Sequence, residues 1–317
     1  MAPAPIQSSA PGKVILFGEH AVVYGRPAIA VPVTQVRATA TIEPAPAGSG
    51  LTLIAPDLGR SILLAAAPED DPLAAAARAT LAYLSAAAPD ATLTVSSTIP
   101  IAGGLGSGAA VSTALVRALA GFLHHELEPA EVSPLVFEVE KIHHGTPSGI
   151  DNTVVAYGQP VYFVRGHSIE RLAVGGSFTL LIGDTGVSSP TAKVVGQVRR
   201  RWKREPARYD ALFDQIGDIA NEARRTIELG DLGALGLLMD NNQGLLVELG
   251  VSSSRLNDLV EAARFAGALG AKLSGAGQGG NMIALVEDGF VEEVAEALKE
   301  EGAKRVIRTM VGGLVDW

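Results

Sequence analysis

Residues 103–110 read Gly-Gly-Leu-Gly-Ser-Gly-Ala-Ala. They follow a short apolar run, Leu93–Ile101, and open onto Ala109–Leu123, where Val111, Leu115, Leu119 and Phe122 recur at helical spacing. A strand that passes through glycines into a helix presents backbone N–H groups and the positive end of a helix dipole to whatever sits at the turn. That combination suits phosphate. The loop matches neither common phosphate signature. No Gly-x-x-x-x-Gly-Lys-Ser/Thr occurs in the chain, and the loop lacks the Gly-x-Gly-x-x-Gly spacing. Read alone, it is either a phosphate cradle or a flexible linker before a core helix.

The rest of the chain narrows the choice by exclusion. Its 317 residues are enough for one large domain or two ordinary ones, and 47% hydrophobic with 19% charged residues describes a globular core. A net charge of −9 argues against nucleic acid and anionic membranes as partners. The absence of cysteine removes disulfides, thiolate metal sites and cysteine nucleophiles. Met1–Ser9 has no basic and apolar stretches of a secretory signal, and no long apolar run suggests a membrane span. The expectation is a soluble, cytoplasmic, acidic protein.

The first half reads as strand-rich. Val14–Phe17, Ala28–Val33, Ala38–Ile42, Leu51–Ile54, Ser61–Leu64 and Thr92–Ser97 carry strand patterns, with a helix over Pro72–Ala87. Ser133-Pro134 predicts an N-cap followed by proline at the first helical position, for a helix running to about His144 with Gly145 as its stop. Tyr162–Arg165 and Phe178–Ile182 are strands again. Thr191–Leu269 is expected to be mostly helical, in about four segments broken by Glu205-Pro206, Gly230 and Gly250. A strand at Ala271–Leu273, a glycine loop, a strand at Asn281–Val286, a helix at Val291–Glu301 and a strand at Val306–Met310 make a βαβ-like tail. A boundary near Asp184–Pro190 divides the chain into residues 1–185 and 186–317. The basic run Arg199–Arg204 reads as a solvated helix face.

Four clusters could carry chemistry. Lys13 precedes the buried run Val14–Phe17, and Gly18-Glu19-His20 follows it; a solvated strand-end lysine and a surface loop are the plain alternatives. Ser107 sits where the glycine loop becomes a helix, as a cap or a metal-reaching hydroxyl. Thr146-Pro147-Ser148-Gly149 has a turn signature, and Ser148-x-x-Asp151 matches a capping box. Asp151 is therefore either a helix cap or a base that takes a proton from a substrate hydroxyl. The adjacent His143-His144 do not share a helix face, which disfavours a metal site there. Last, the six-residue loop Gly275–Gly280 holds four glycines, which implies tight backbone geometry, a close ligand or a plain flexible connection.

The order of these clusters is more specific than any one of them. Ala10-Pro11-Gly12-Lys13-Val14-Ile15-Leu16-Phe17-Gly18-Glu19-His20, then Gly104-Leu105-Gly106-Ser107, then His144-Gly145-Thr146-Pro147-Ser148-Gly149-Ile150-Asp151-Asn152, then Gly275-Ala276-Gly277, resembles the GHMP kinase superfamily over nearly the whole chain, and within it the mevalonate kinase family. Asp184-Thr185 with Thr191, and Asn242–Leu246, fit that family's second domain. The resemblance implies an α+β, two-domain fold: a ribosomal-protein-S5-like N-terminal domain that binds ATP and a ferredoxin-like α/β C-terminal domain. It implies phosphorylation of mevalonate at its 5-hydroxyl, with ATP and Mg²⁺ as cofactors. Pro100, Gly103, Gly104, Leu105, Gly106, Ser107, Gly108 and Ala109 would hold ATP. Glu140 and Ser107 would hold Mg²⁺. Asp151 would be the base, with Lys13 beside it to position or acidify the hydroxyl. Glu19, His20, Ser148, Gly149, Thr191, Gly275, Ala276 and Gly277 would line the substrate site. A homodimer stays open as a state of assembly.

Three positions depart from the family pattern. Gly108 stands where the family carries a second serine usually assigned to Mg²⁺, which leaves Ser107 or water to complete the metal site. Gln278 replaces a usual glycine. Ser189 lies near where many relatives carry arginine. Two other readings are a kinase of another small alcohol, such as phosphomevalonate, and a non-catalytic metabolite sensor. Gly18-Glu19-His20 argues against the first, because phosphomevalonate kinases more often resemble Gly-Glu-Tyr. The joint presence of Lys13, Glu140 and Asp151 argues against the second.

Overall fold

A computed structural model describes residues 5–100, 104–144 and 147–312, without the side chains of His143 and His144. In chain order its elements are β1 (Ile6–Phe17), β2 (Ala28–Pro44), β3 (Leu51–Ala55), β4 (Arg60–Leu63), α1 (Pro72–Tyr83), β5 (Ala91–Ser97), α2 (Ser107–Phe122), α3 (Pro129–His144), α4 (Ile150–Tyr157), β6 (Val161–Phe163), β7 (Glu170–Arg171), β8 (Phe178–Asp184), α5 (Thr191–Arg204), α6 (Pro206–Leu229), α7 (Leu232–Glu248), α8 (Ser254–Phe265), β9 (Gly270–Ser274), β10 (Asn281–Val286), α9 (Val291–Glu300) and β11 (Arg305–Val311). They fall into two compact units. One comprises residues 1–12, 36–100 and 106–158; the other comprises 13–35, 101–105 and 159–317. No described helix is long and apolar enough to cross a membrane.

In the first unit the strands run in the order β4-β3-β5-β2, with β3 and β5 parallel and the other neighbours antiparallel. Alternate residues of β3 and β5 are buried, so one face of this sheet meets the helices. Helix α2 packs on β5 and on α1, α3 and α4. Being covered on several sides, it is built from small residues and buries Ala109, Ala110, Ala114, Leu115, Val116 and Ala118.

One expectation for α3 is corrected. The helix begins at Pro129, and Pro134 lies inside it. Pro129 already supplies the pre-set first turn. The Glu128 N–H donates to Oε2 of Glu131 at 2.9 Å, one half of a capping box. Ser133 is thereby released from capping and ties α3 to α4 instead. Nδ2 of Asn152 donates to the Ser133 carbonyl at 3.0 Å and to its Oγ at 2.9 Å. Gly145, the expected stop, lies outside the described residues.

In the second unit β11-β8-β10-β9 form an antiparallel sheet. The βαβ-like tail is real but split: β10 and β11 lie on either side of β8. The breaks between the four helices α5 to α8 fall where Pro206, Gly230 and Gly250 lead the sequence to place them. Helix α7 packs on β9, and α8 on β9 and β10, around Phe213, Ile216, Leu246, Leu256, Leu273 and Met282. Residues just after β1 join this core. Ala21 is buried in it, and Tyr24 stacks on Phe213 with ring centroids 4.1 Å apart. Within the basic run, Arg201 is not simply solvated: its Nη1 donates to the carbonyls of Leu249 and Gly250, both at 3.1 Å.

Candidate active site

In the second unit, β1 ends on Gly18 at φ +92°, where a Cβ would come within 2.5 Å of Ala28 Cα and the Pro27 carbonyl. Only glycine fits, and the sharp turn it permits sends Glu19 and His20 inward. Both are buried, not surface loop. Glu19 forms an ion pair with Lys272 of β9, both fully shielded from solvent, and Lys272 Nζ also donates to the Leu273 carbonyl at 2.8 Å. Burial pushes the Glu19 carboxyl up, and the charges of Lys272 and Lys13 oppose that rise. Burial pushes the Lys272 ammonium down, with Glu19 opposing.

His20 Nε2 lies 2.9 Å from the Ala276 carbonyl. A carbonyl only accepts, so Nε2 carries the proton and Nδ1 is left as an acceptor. Burial lowers the imidazole pKa to about 4, so the ring is neutral at pH 7. Its backbone is strained, at φ +61°. Lys13, expected on solvation grounds to be exposed, is buried, and its N–H donates to the Leu105 carbonyl at 2.9 Å. Ser274 Oγ accepts from the Ile15 N–H at 3.1 Å and donates to the Ile15 carbonyl at 2.8 Å, locking the end of β9 to β1. Lys13, Gly104, Leu105, Glu19, His20, Gly275, Ala276 and Gly277 thus belong to one unit, with Ala276 held to His20 and Leu105 to Lys13.

The Gly275–Gly280 loop is tight, not merely flexible. At Gly277 (φ +79°) a Cβ would sit 2.1 Å from the Val251 carbonyl. Ser189 Oγ donates to the Gly277 carbonyl at 2.7 Å. Gln278 is at φ +61°, a backbone conformation that favours glycine; its amide donates to the carbonyls of Gly250 and Ser252 at 3.2 and 3.1 Å. Thr191 opens α5 and is exposed.

In the first unit α2, α3 and α4 pack on one another and carry Ser107, Glu140 and Asp151. The cap of α2 is Gly106 at φ +73°, with no side-chain hydrogen bond, so Ser107 is the first helical residue and not the cap. Ala109 is buried. Glu140 is buried on α3. Ser148 is not the cap residue of α4. Gly149 takes the cap position at φ +96°, and Asp151 lies in the first turn of α4. Ser148 Oγ instead accepts from the Ile150 N–H at 3.4 Å. Pro100 follows β5 and is half-buried. Gly103 and Thr146, and the side chains of His143 and His144, lie outside the described residues.

Sequence reasoning passed over Lys272 and Ser274. A lysine inside a short strand of otherwise apolar and small residues was the available signal, because a buried ammonium requires a carboxylate partner.

Residues 72–159 match the family model for the GHMP kinases N terminal domain, and residues 220–304 match that for the GHMP kinases C terminal. The chain is 37% identical to a mevalonate kinase of Thermococcus sibiricus, over 95% of each chain. The chain belongs to the GHMP kinases, in the mevalonate kinase family. Two solved structures extend the likeness. L. major mevalonate kinase in complex with R-mevalonate superposes with a TM-score of 0.84 at 30% identity, over 98% of this chain and 97% of that one. Methanococcus jannaschii mevalonate kinase gives 0.83 at 27% identity, over 97% and 98%. The α+β GHMP fold expected from the motifs is the one observed.

Proposed function

We propose that the protein transfers the γ-phosphoryl group of ATP to the primary hydroxyl of mevalonate, giving 5-phosphomevalonate and ADP. The observation that carries this reading is the identity to mevalonate kinases along nearly the full length of both chains. The site geometry supports it. The Gly-Glu-His turn supplies a buried carboxylate and a neutral histidine, groups suited to recognising a hydroxy acid.

The residue roles belong to the same proposal. Asp151 accepts the proton of the primary hydroxyl as its oxygen bonds to phosphorus and the bond to the ADP oxygen breaks. Lys13 positions that hydroxyl and offsets developing charge. The uncapped first turn of α2, with Gly104, Leu105, Gly106, Ser107, Gly108 and Ala109, receives phosphate on backbone N–H groups. The buried Glu140 carboxylate and the Ser107 hydroxyl are hard oxygen donors of the kind Mg²⁺ takes, and they would hold it with water and phosphate oxygens. Bound Mg²⁺ supplies neutralisation of the phosphate charge. Glu19, His20, Ser148, Gly149, Thr191 and the Gly275–Gly277 loop contact mevalonate. A division at residue 185 into an ATP-binding N-terminal domain and a C-terminal domain accompanies this assignment; the two family models fall on either side of it.

The test is ADP release with Mg-ATP and mevalonate, with phosphomevalonate and homoserine in parallel. Turnover with mevalonate alone is expected. Turnover with another of the three alcohols would keep the chemistry and change the substrate. ATP binding without turnover on any of them would point to a sensor.

A further inference from the structure

The roles proposed above for the transfer step leave the ion pair between Lys272 and Glu19 unused. Its two side chains come from residues 253 apart in sequence, and neither has solvent exposure. Burying a charged pair costs solvation that mutual attraction seldom repays, so stability alone is a weak reason to keep one. The geometry offers another. The ammonium is fixed by two acceptors, Oε1 of Glu19 and the Leu273 carbonyl. The second carboxylate oxygen of Glu19, Oε2, is wholly shielded and meets no hydrogen-bond partner among the described residues. An ionised carboxylate accepts several hydrogen bonds, and leaving one oxygen buried without a donor is costly. That oxygen belongs to the turn whose next residue, His20, is held by the substrate-loop carbonyl of Ala276.

We propose that Lys272 is a positioning residue for the acceptor substrate: by clamping Oε1 of Glu19 it fixes the carboxylate, and with it the turn that carries His20, in the orientation that the acceptor substrate meets. The inference rests on the reading that Glu19 lines the mevalonate site, and it goes beyond that reading by assigning a role to a lysine that does not itself touch substrate. With Lys272 gone, the carboxylate loses both its orientation and the charge that opposes its protonation.

The experiment compares Glu19→Gln, Lys272→Met and the double variant with the wild-type protein, reading KM for mevalonate, KM for ATP and kcat. Lys272→Met should raise KM for mevalonate by about tenfold or more, the loss expected when a charge-assisted contact is misplaced, with KM for ATP changed by less than about twofold. The double variant should match Glu19→Gln within about twofold, because Lys272 acts only through Glu19. Lys272→Met leaves a buried carboxylate unpaired and Glu19→Gln a buried ammonium, whereas the double variant buries neither charge alone. Where one single variant does not fold, the double variant is compared with the other, and a double variant whose KM for mevalonate equals that of wild type overturns the proposal. A double variant markedly worse than Glu19→Gln would overturn the proposal, as would a folded Lys272→Met protein with unchanged KM for mevalonate. If Glu19→Gln itself leaves that KM unchanged, the placing of Glu19 at the substrate is what fails.

Discussion

His20 sits at φ +61° with its ring buried against the Ala276 carbonyl, and its folded pKa of about 4 lies well below the 6.5 of a free imidazole. Between those pH values the unfolded chain binds a proton that the native ring does not. Its stabilising contribution is complete above pH 6.5 and is lost as pH falls towards 4, by about 3 kcal/mol in all. Urea unfolding at pH 7 and pH 4.5 should show a smaller loss of stability for His20→Asn than for wild type, by about 2 kcal/mol. Equal losses would contradict the assignment. Asparagine is chosen because it tolerates positive φ. Gly18→Ala should cost roughly 3 kcal/mol, since its Cβ meets backbone atoms and its φ disfavours side chains; an unchanged urea midpoint would refute this. Asp151→Asn should lower kcat by at least about a hundredfold while nucleotide affinity holds, the signature of a lost base. At the Gly-Glu-His turn the residues alone left a surface loop open, and only the motif resemblance singled it out; its burial comes from the turn at Gly18 and the long-range partners Lys272 and Ala276. Lys272 was not legible in sequence: lysine defaults to the surface, and its partner lies at the far end of the chain.

At the scale of elements, the helices and strands of the second half were read almost to their ends, because Pro206, Gly230 and Gly250 are strong local punctuation. The start of α3 was misplaced because two Xaa-Pro pairs competed, and the deciding contact, Glu131 reaching back to the Glu128 N–H, is a side-chain bond. The caps of α2 and α4 were misread for a related reason. Hydroxyl-bearing residues looked like caps, yet Gly106 and Gly149 take those positions at positive φ. Both changes leave Ser107 and Asp151 inside the first turn and not at the cap position. The α3–α4 tie is testable. Ser133→Ala removes the Oγ acceptor of Asn152 and should cost about 1–2 kcal/mol in thermal or urea unfolding. No loss would mean that the tie does not hold the α4 turn in place.

Across the whole molecule, the motif order along the chain carried the family, and full-length identity to mevalonate kinases bears it out. Composition and periodicity could not have done so. They bounded a globular acidic chain and no more, since strand pairing such as β8 between β10 and β11 is a long-range property. The central claim concerns one bond, the ester formed at the primary carbon of mevalonate. The most direct measurement is proton-coupled phosphorus NMR of the product from Mg-ATP and mevalonate. The account predicts a new phosphomonoester signal split by the two protons of a CH₂ group, forming at least about a hundredfold more slowly with Asp151→Asn. An unsplit ester signal, placing phosphate on the tertiary carbon, or no ester at all, would contradict it.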